Sequence, residues 1–377
     1  MLWRREYLRK AATLAVASTW REDLPKSGLL GSIALHIYGL PVTDSMLATE
    51  KWRLWDYISL VELIGDGAEV IASVTGQVLR AMAFLDGGLA CPDKSFNYGS
   101  STHRFHTVLN LGRALFDSGM GLDLSRWHNV EIRITTDAAA AQYASGLSVD
   151  ALLYFLEDAP SGAFSGYLRR ETWRTYTTVQ AAVEYLELPT LYPIRRIVLQ
   201  VIPHIDSDKK AEATPYQTVS NIELLLDTGR VKVWDGSLRD LWYENAMADG
   251  RQIIQSLEPY HTSGKGIFTG LGQTLGMGGV RLMHGGAQSS YGTTMSPGED
   301  STTQVRLAAT ETDQDGLLAL GLALENCAHF KFDHDPNPGT WLDPKARGTV
   351  QLNLTTYDSA GAADGTVRAI LERFVSR

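Results

Sequence analysis

Closely spaced histidines are the first candidates for chemistry in this sequence. The chain has nine histidines, and His103 and His106 stand three residues apart in a segment rich in Ser and Thr. Two histidines with a carboxylate can hold a transition metal. A metal site on a barrel wall would need two histidines separated by one residue, and no such pair occurs. We interpret His103 and His106 as polar loop residues, and His329 and His334 as structural residues that flank a strand and a turn. We predict no metal and no cofactor.

An acidic turn is the second candidate. Asp333–Gly339 places carboxylate and amide oxygens at alternate positions, as a calcium loop does. However, Pro338 and Pro344 stand where such a loop of the EF-hand type needs Gly and Glu. A turn rich in Asp, Asn and Pro explains the segment equally well, and Asp313–Gly316 has the same interpretation.

Glycine-rich segments invite a phosphate-binding interpretation, which their spacing excludes. Pro259 stands where a phosphate loop ending at Lys265 would need its first glycine. Gly270–Gly276 lacks the spacing of a dinucleotide fingerprint and has no βαβ pattern around it. The sequence also contains no Gly-x-Ser-x-Gly nucleophile motif.

Glu62 and Glu223 are the candidates for the two carboxylates of a glycan hydrolase, because they stand at matching places in two similar segments. Each lies within a strand pattern and faces away from its apolar neighbours. This placement is more typical of a solvated face or a subunit contact, so we assign no catalytic residue and predict that the protein is not an enzyme.

Composition narrows the possible classes of protein. The 377 residues suggest two or three domains, and a composition of 44% hydrophobic and 20% charged residues allows a sizeable core. The net charge of −9 gives no basic footprint for nucleic acid, and the nine tryptophans do not cluster with basic residues. No apolar run is long enough to predict a membrane-spanning helix. Two cysteines without a CxxC exclude a disulfide framework. Frequent Gly and Pro favour many short strands.

The N-terminus differs from the rest of the acidic chain. Residues 1–20 space apolar residues three and four apart, with cations between them, which predicts a basic amphipathic helix. A surface helix, a signal peptide and an interfacial helix on an anionic membrane remain open. We favour the interfacial helix, and its predicted membrane-facing residues are Trp3, Arg4, Arg5, Tyr7, Arg9 and Lys10.

The chain also repeats itself. Ile58–Asp66 resembles Val219–Asp227, and each segment leads into a Gly turn, a second strand and a short helical pattern. Later, Val130–Thr136 resembles Val350–Thr356, and both alternate with period two. The matching pieces occur in the same order, which indicates a duplicated all-β domain.

The predicted organisation follows from the repeat. It comprises an N-terminal helix or arm (1–27), a first jelly-roll β-sandwich (28–158), a connector (159–194) and a second jelly roll (195–377). The second copy carries a glycine-rich insertion at about 250–325, which we expect to project as a loop system.

Two such units resemble the double jelly-roll major capsid proteins of tailless icosahedral viruses with an internal membrane, of the tectivirus and corticovirus-like phage lineage. The segments that carry the resemblance are Val61–Gly67 and Ile222–Gly229, with the late alternating strand of each half. It covers nearly the whole chain.

The resemblance implies a capsid protein that forms homotrimeric, pseudo-hexameric capsomers around the membrane. Its implied partners are itself, neighbouring capsomers, the viral membrane and minor capsid or vertex proteins, without direct nucleic-acid binding. The implied location is the virion, and the host cytoplasm during assembly. The alternative is a secreted two-domain jelly-roll protein that binds glycans or hydrolyses them in the manner of a glycoamidase.

Overall fold

The computed structural model describes residues 1–40, 54–87, 102–138, 146–160, 163–204, 215–250 and 321–376. Between 251 and 320 it describes only the backbone of 253–257, 267–268, 280–283, 293–294, 304–306 and 316–320. The chain forms two compact units. Unit 1 contains residues 1–171, 258–262 and 375–377, and unit 2 contains residues 172–257 and 263–374.

In its described residues, unit 1 is built from antiparallel strands and one α-helix, α1 (Gly76–Gly87). Its strands are β1 (Leu2–Leu14), β2 (Thr19–Asp23), β3 (Leu29–Gly39), β4 (Ile58–Gly65), β5 (Glu69–Val74), β6 (His103–Asn110), β7 (Leu122–Asp123), β8 (Val130–Thr136) and β9 (Leu147–Glu157). β10 (Gly166–Thr177) starts in unit 1 and enters unit 2 at Thr172.

Two sheets enclose the core of unit 1. One has the order β1-β9-β3-β6, with β7 paired to β3, and the other has the order β2-β8-β4-β5. The first residues of β10 pair in parallel with β5. On β8, buried residues alternate strictly with half-buried ones, which is why its sequence pattern was readable as a strand with one buried face.

The described part of unit 2 contains the α-helices α2 (Pro215–Thr218) and α3 (Leu238–Asp249) together with β-strands. The strands are β11 (Val183–Glu187), β12 (Ile194–Ile202), β13 (Asn221–Leu226), β14 (Val231–Gly236), β15 (Ile253–Leu257), β16 (Ile267–Phe268), β17 (Val280–Met283), β18 (Thr293–Thr294), β19 (Gln304–Arg306), β20 (Gly316–Gly321), β21 (Cys327–Lys331), β22 (Val350–Thr355) and β23 (Thr366–Ser376).

The sheets of unit 2 have the orders β11-β22-β13-β14 and β10-β23-β12-β21. Their facing sides bury a single cluster of apolar residues that includes Trp242 of α3. The expected all-β class with short helices is confirmed. In the glycine-rich insertion, β15 to β20 form two small three-stranded sheets, whereas its glycines between 264 and 286 lie outside the described residues.

The predicted N-terminal helix is wrong, because residues 2–14 form strand β1, antiparallel to β9. The register shifts between Tyr7 and Arg9 and again between Arg9 and Ala12. Extra residues at such bulges interrupt the period-two alternation of a strand. In this segment the interruption produces steps of three and four residues between apolar positions, which imitate a helix. Pairing with β9 decides the outcome, since β9 would otherwise have an unpaired edge.

The duplication extends to the turns. Asp66 and Gly67 adopt left-handed backbone conformations between β4 and β5, as Asp227, Thr228 and Gly229 do between β13 and β14. Asp66 Oδ1 accepts a hydrogen bond from the His128 amide at 2.8 Å. Asp227 Oδ1 accepts one from the Gly348 amide at 3.1 Å. Each turn thus holds the residues that lead into a neighbouring strand of its sheet. That strand is β8, beside β4, in unit 1 and β22, beside β13, in unit 2.

A buried threonine marks the opposite end of the same strands. Thr136 Oγ1 donates to the carbonyl of Ala15 at 2.5 Å and accepts from the Ser18 amide at 3.3 Å. Thr356 Oγ1 donates to the carbonyl of Val179 at 2.5 Å and accepts from the amide of Ala182, the residue just before β11, at 2.8 Å. The connection between the first two strands of each unit is therefore fixed by one hydroxyl.

We expect Thr136→Val and Thr356→Val each to lower the free energy of unfolding by about 1–2 kcal/mol, because valine keeps the shape and loses both hydrogen bonds. Urea denaturation measures the change. The control is Thr135→Val, since among the described residues the Thr135 hydroxyl bonds only to the exposed Thr19. Equal stability of the Thr136 variant and this control would contradict the assigned role.

Candidate assembly surfaces

The six predicted membrane-facing residues lie along β1 and do not share one surface. Trp3, Arg5 and Tyr7 pair with Leu156, Tyr154 and Leu152 of β9, whereas Arg4 pairs with the core residue Phe155. Alternation therefore puts Arg4 on the opposite side of the sheet from Trp3, Arg5 and Tyr7. A strand also spreads residues 4 to 10 over about 20 Å, where a helix would keep them within about 9 Å.

The four cations of β1 differ in their partners. Arg4 pairs with Glu157 at 2.6 Å and with Glu6, and Arg9 pairs with Glu22 at 3.2 Å. In the described part of the chain, Arg5 and Lys10 have no carboxylate within salt-bridge distance. The Lys10 ammonium lies 4.2 Å from the centre of the Tyr7 ring. Arg5 and Lys10 are thus the two cations that remain available for an outside partner.

An aromatic cluster that the sequence analysis missed lies beside Trp3. The rings of Trp3 and Phe116 are 5.5 Å apart, and those of Phe116 and Tyr154 are 5.7 Å apart. Phe116 is 49% exposed and has a left-handed backbone. No periodicity signals it, because Phe116 lies in a loop and reaches Trp3 only through the tertiary fold.

A second cluster on the same sheet joins two histidines that are distant in sequence. His36 of β3 lies directly opposite His106 of β6 and opposite Asp150 of β9. The imidazole rings stack with centres 3.5 Å apart, and His36 Nδ1 is 3.8 Å from Asp150 Oδ2. Burial first, then the charges of His36 and Arg104, lower the pKa of His106 to about 4, and burial lowers the pKa of His36 despite Asp150.

The remaining candidate histidines are His103, His329 and His334. His103 and His106 were expected in a polar loop, and this prediction is wrong because both lie on strand β6. The alternation of the strand buries His103 and puts His106 on the opposite face. His329 is buried on β21, with its Nε2 3.1 Å from Asp249 Oδ2, and burial lowers its pKa. His334 is exposed. Among the described residues no group of His, Cys, Asp and Glu has the geometry to hold a metal ion.

The acidic turn at 333–339 uses its oxygens within the chain. Asp333 pairs with Arg195 at 2.7 Å. Asp335 Oδ1 accepts from the Asn337 amide, and Asn337 Oδ1 from the Gly339 amide. Such side-chain to backbone bonds define an Asx turn. Of the similar turn 313–316, residues 313–315 lie outside the described residues.

Glu62 and Glu223 occupy equivalent outward positions, each on its own unit. Glu62 lies opposite Arg133 of β8. Glu223 accepts from Lys232 at 2.7 Å and from Asn353 at 3.0 Å. These two bonds, that of Lys232 first, hold the pKa of Glu223 below its ordinary value. A general acid requires a raised pKa, so the environment of Glu223 suits a charged surface network.

Comparison with solved structures identifies the architecture. The chain is similar to the MCP of STIV (Sulfolobus Turreted Icosahedral Virus), with a TM-score of 0.61 and 11% identity over 100% of this chain and 97% of that chain. It is similar to the major capsid protein P2 from Bacteriophage PM2, with a TM-score of 0.51 and 12% identity over 100% and 99% of the two chains. The chain has the double jelly-roll fold. For the PBCV-1 virus capsid the TM-score is 0.55, with 9% identity over 99% and 93%.

These similarities confirm the predicted double jelly roll. At 9–12% identity they are similarities of fold. No family model and no curated protein matches the sequence. Within the described residues no helix of this double jelly roll is long and apolar enough to cross a membrane. The surfaces described above, on β1 and on the outer faces of the sheets, are therefore the candidate sites of function.

The stacked histidines predict a pH dependence of stability. The pKa of His106 falls from 6.5 to about 4 on folding, so the unfolded state binds the proton first as the pH is lowered. The stabilisation is fully present above about pH 6.5 and is lost progressively as the pH falls towards 4. We expect the urea midpoint of unit 1 to fall between pH 7 and pH 5, and less steeply in His106→Gln. The exposed His128→Gln is the control, and an unchanged slope in His106→Gln would contradict the prediction.

Proposed function

We propose that this chain is the major capsid protein of an icosahedral virus. The observation that carries the proposal is the double jelly-roll fold along essentially the whole chain, shared with the MCP of STIV and with P2 of Bacteriophage PM2 at nearly complete coverage of both partners. A shell protein needs stable sheets and outward faces that repeat identical contacts. Its location is then the virion, and the host cytoplasm during assembly.

The capsomer is a homotrimer. Two units with the same strand order, in three copies of the chain, give six similar modules around one axis, and a tile with near six-fold outline packs without gaps. Closed three-fold symmetry also repeats each contact three times, so that modest contacts add up. The partners are other copies of the chain, neighbouring capsomers and minor capsid or vertex proteins, and nucleic acid is not a direct partner.

The proposal assigns no catalytic role. Glu223, one of the two candidates for a hydrolase carboxylate, is bound by Lys232 and Asn353 and has a lowered pKa. Support for the alternative, a glycan-binding or glycan-hydrolysing protein, would require a raised carboxyl pKa in a cleft.

Native mass tests the trimer. We expect light scattering on the purified protein to give about three times the chain mass of 41.4 kDa, and the mass to hold on dilution because the assembly is closed. The measurement is repeated across a hundredfold range of concentration. A monomer at every concentration would contradict the capsomer and favour the two-domain glycan-binding alternative.

An internal membrane is a second proposed partner, and the exposed side of β1 is its contact. Arg5 and Lys10 have no carboxylate partner in the described chain, and Trp3 and Tyr7 are of the kind that sits at a lipid interface. Arg4 and Arg9 are already paired with carboxylates and contribute less.

Vesicle binding tests the membrane contact. We expect the double variant Arg5→Ala, Lys10→Ala to bind anionic vesicles roughly 30-fold more weakly, since each cation near the surface contributes about 1 kcal/mol. The matched control is Arg4→Ala, Arg9→Ala, which removes the same charge from paired positions. Equal binding of the two variants in a flotation assay would contradict the contact.

A further inference from the structure

The hairpin β4–β5 of unit 1 and the hairpin β13–β14 of unit 2 have the same register of paired residues. Glu62 pairs with Ser73 and Leu63 with Ala72, while Glu223 pairs with Asp235 and Leu224 with Trp234. A register shift follows at the next step in both hairpins. Strand β14 is therefore the counterpart of β5, with Trp234 in the place of Ala72 and Asp235 in the place of Ser73.

Strands β1 and β10 are counterparts in the same way. β1 leads through a turn into β2, and Thr136 bonds that turn. β10 leads through the corresponding turn into β11, and Thr356 bonds it. Ala17 and Ala181 have the same left-handed backbone in the two turns. Counting back from these alanines, Glu6 is the counterpart of Arg170, and Tyr7 is the counterpart of Glu171.

The outer edge of β5 is paired within the chain, whereas the outer edges of β14 and β1 have no described partner strand. In unit 1, β5 is paired on its outer side by the first residues of β10, in parallel, with Arg170 opposite Ala72 and Glu171 opposite Ser73. Strand β14 ends its sheet, and among the described strands only β13 pairs with it. Strand β1 also ends its sheet, with only β9 as its described neighbour. Each chain thus carries two open edges whose internal counterparts pair with each other.

The composition of the open edges suits pairing. Val231 and Val233 of β14 are 44% and 45% exposed, and an exposed apolar edge is a template for another strand. Asp235 has Lys232 as its cation, which it shares with Glu223. On β1, Tyr7 is 45% exposed. A strand paired in the register of β5 and β10 would place Tyr7 beside Asp235.

We propose that β1 of one copy adds in parallel to the outer edge of β14 of a second copy, with Glu6 opposite Trp234 and Tyr7 opposite Asp235. The contact is head-to-tail, since it joins two different surfaces, and such contacts close into rings when the rotation permits. Backbone hydrogen bonds supply the pairing, in the register in which β10 pairs with β5 within the chain. This inference rests on the proposed homotrimer and names the strands that join its subunits.

Disulfide trapping tests the contact in the full chain. Tyr7 and Asp235 are exposed, so the double variant Tyr7→Cys, Asp235→Cys should fold with an unchanged melting temperature. Directly opposed residues of paired strands have Cα atoms about 5 Å apart, within reach of a disulfide. The control pair is Tyr7→Cys, Lys232→Cys, which lies three residues, or about 10 Å, out of register. The single variants report any bond made by the native Cys91 or Cys327.

We expect mild oxidation of the double variant to give a covalent trimer on a non-reducing gel, three times the monomer mass, which reductant returns to monomer. The control pair should remain monomeric on the gel. A faster-migrating monomer would show that the two sites meet within one chain and would overturn the proposal. A trimer by light scattering without a covalent trimer would overturn this contact and leave the proposed function standing, whereas a monomer by light scattering would overturn both.

Discussion

The pairing of strand edges is the constraint on which the rest of this structure depends. The N–H and C=O groups along an edge need partners. β9 obtains its partner from the N-terminal segment, which becomes a strand against its apparent helical pattern. On β21, Asn245 of α3 takes the place of a strand, because its amide group both donates to the His329 carbonyl and accepts from the His329 amide, each at 2.8 Å. Strands β1 and β14 each have an edge that no described strand pairs, and the proposed contact between copies joins these two edges.

Buried ion pairs also connect the elements within each unit. Arg170 of β10 pairs with Asp86 at the end of α1 at 2.7 Å, with both side chains fully buried. On β23, Glu372 is buried and accepts from Arg195 and Arg196 of β12. Removing one partner of such a pair typically costs about 3–5 kcal/mol, because the other charge stays buried. These groups stabilise the units and are not available for catalysis.

The two units share backbone features but differ in the side chains on their outward faces. The same hydroxyl, turn and bulge recur in both units, but the equivalent outward rows carry different side chains. The row in unit 1 runs through Arg21, Arg133 and Glu62. The row in unit 2 runs through Tyr185, Asn353 and Glu223. In the proposed capsomer, the shared backbone geometry would let the two units fill equivalent places, and their distinct side chains would give each unit its own neighbours.

The sequence by itself determined the strands that have one buried face and the turns between them. β8 and β22 have a clear period of two, and Gly67, Gly229 and Gly250 take the left-handed conformations that their positions require; such signals are local. The order of the repeats also predicted the double jelly roll.

Only the tertiary structure decided the features made by residues far apart in the chain. Strand β1 depends on the edge of β9, and its bulges hid the alternation from the sequence. The His36–His106 stack and the Trp3–Phe116 contact join different strands and loops, with no spacing to announce them. Partner choice across a sheet is set by register and edge pairing, which are properties of the folded chain.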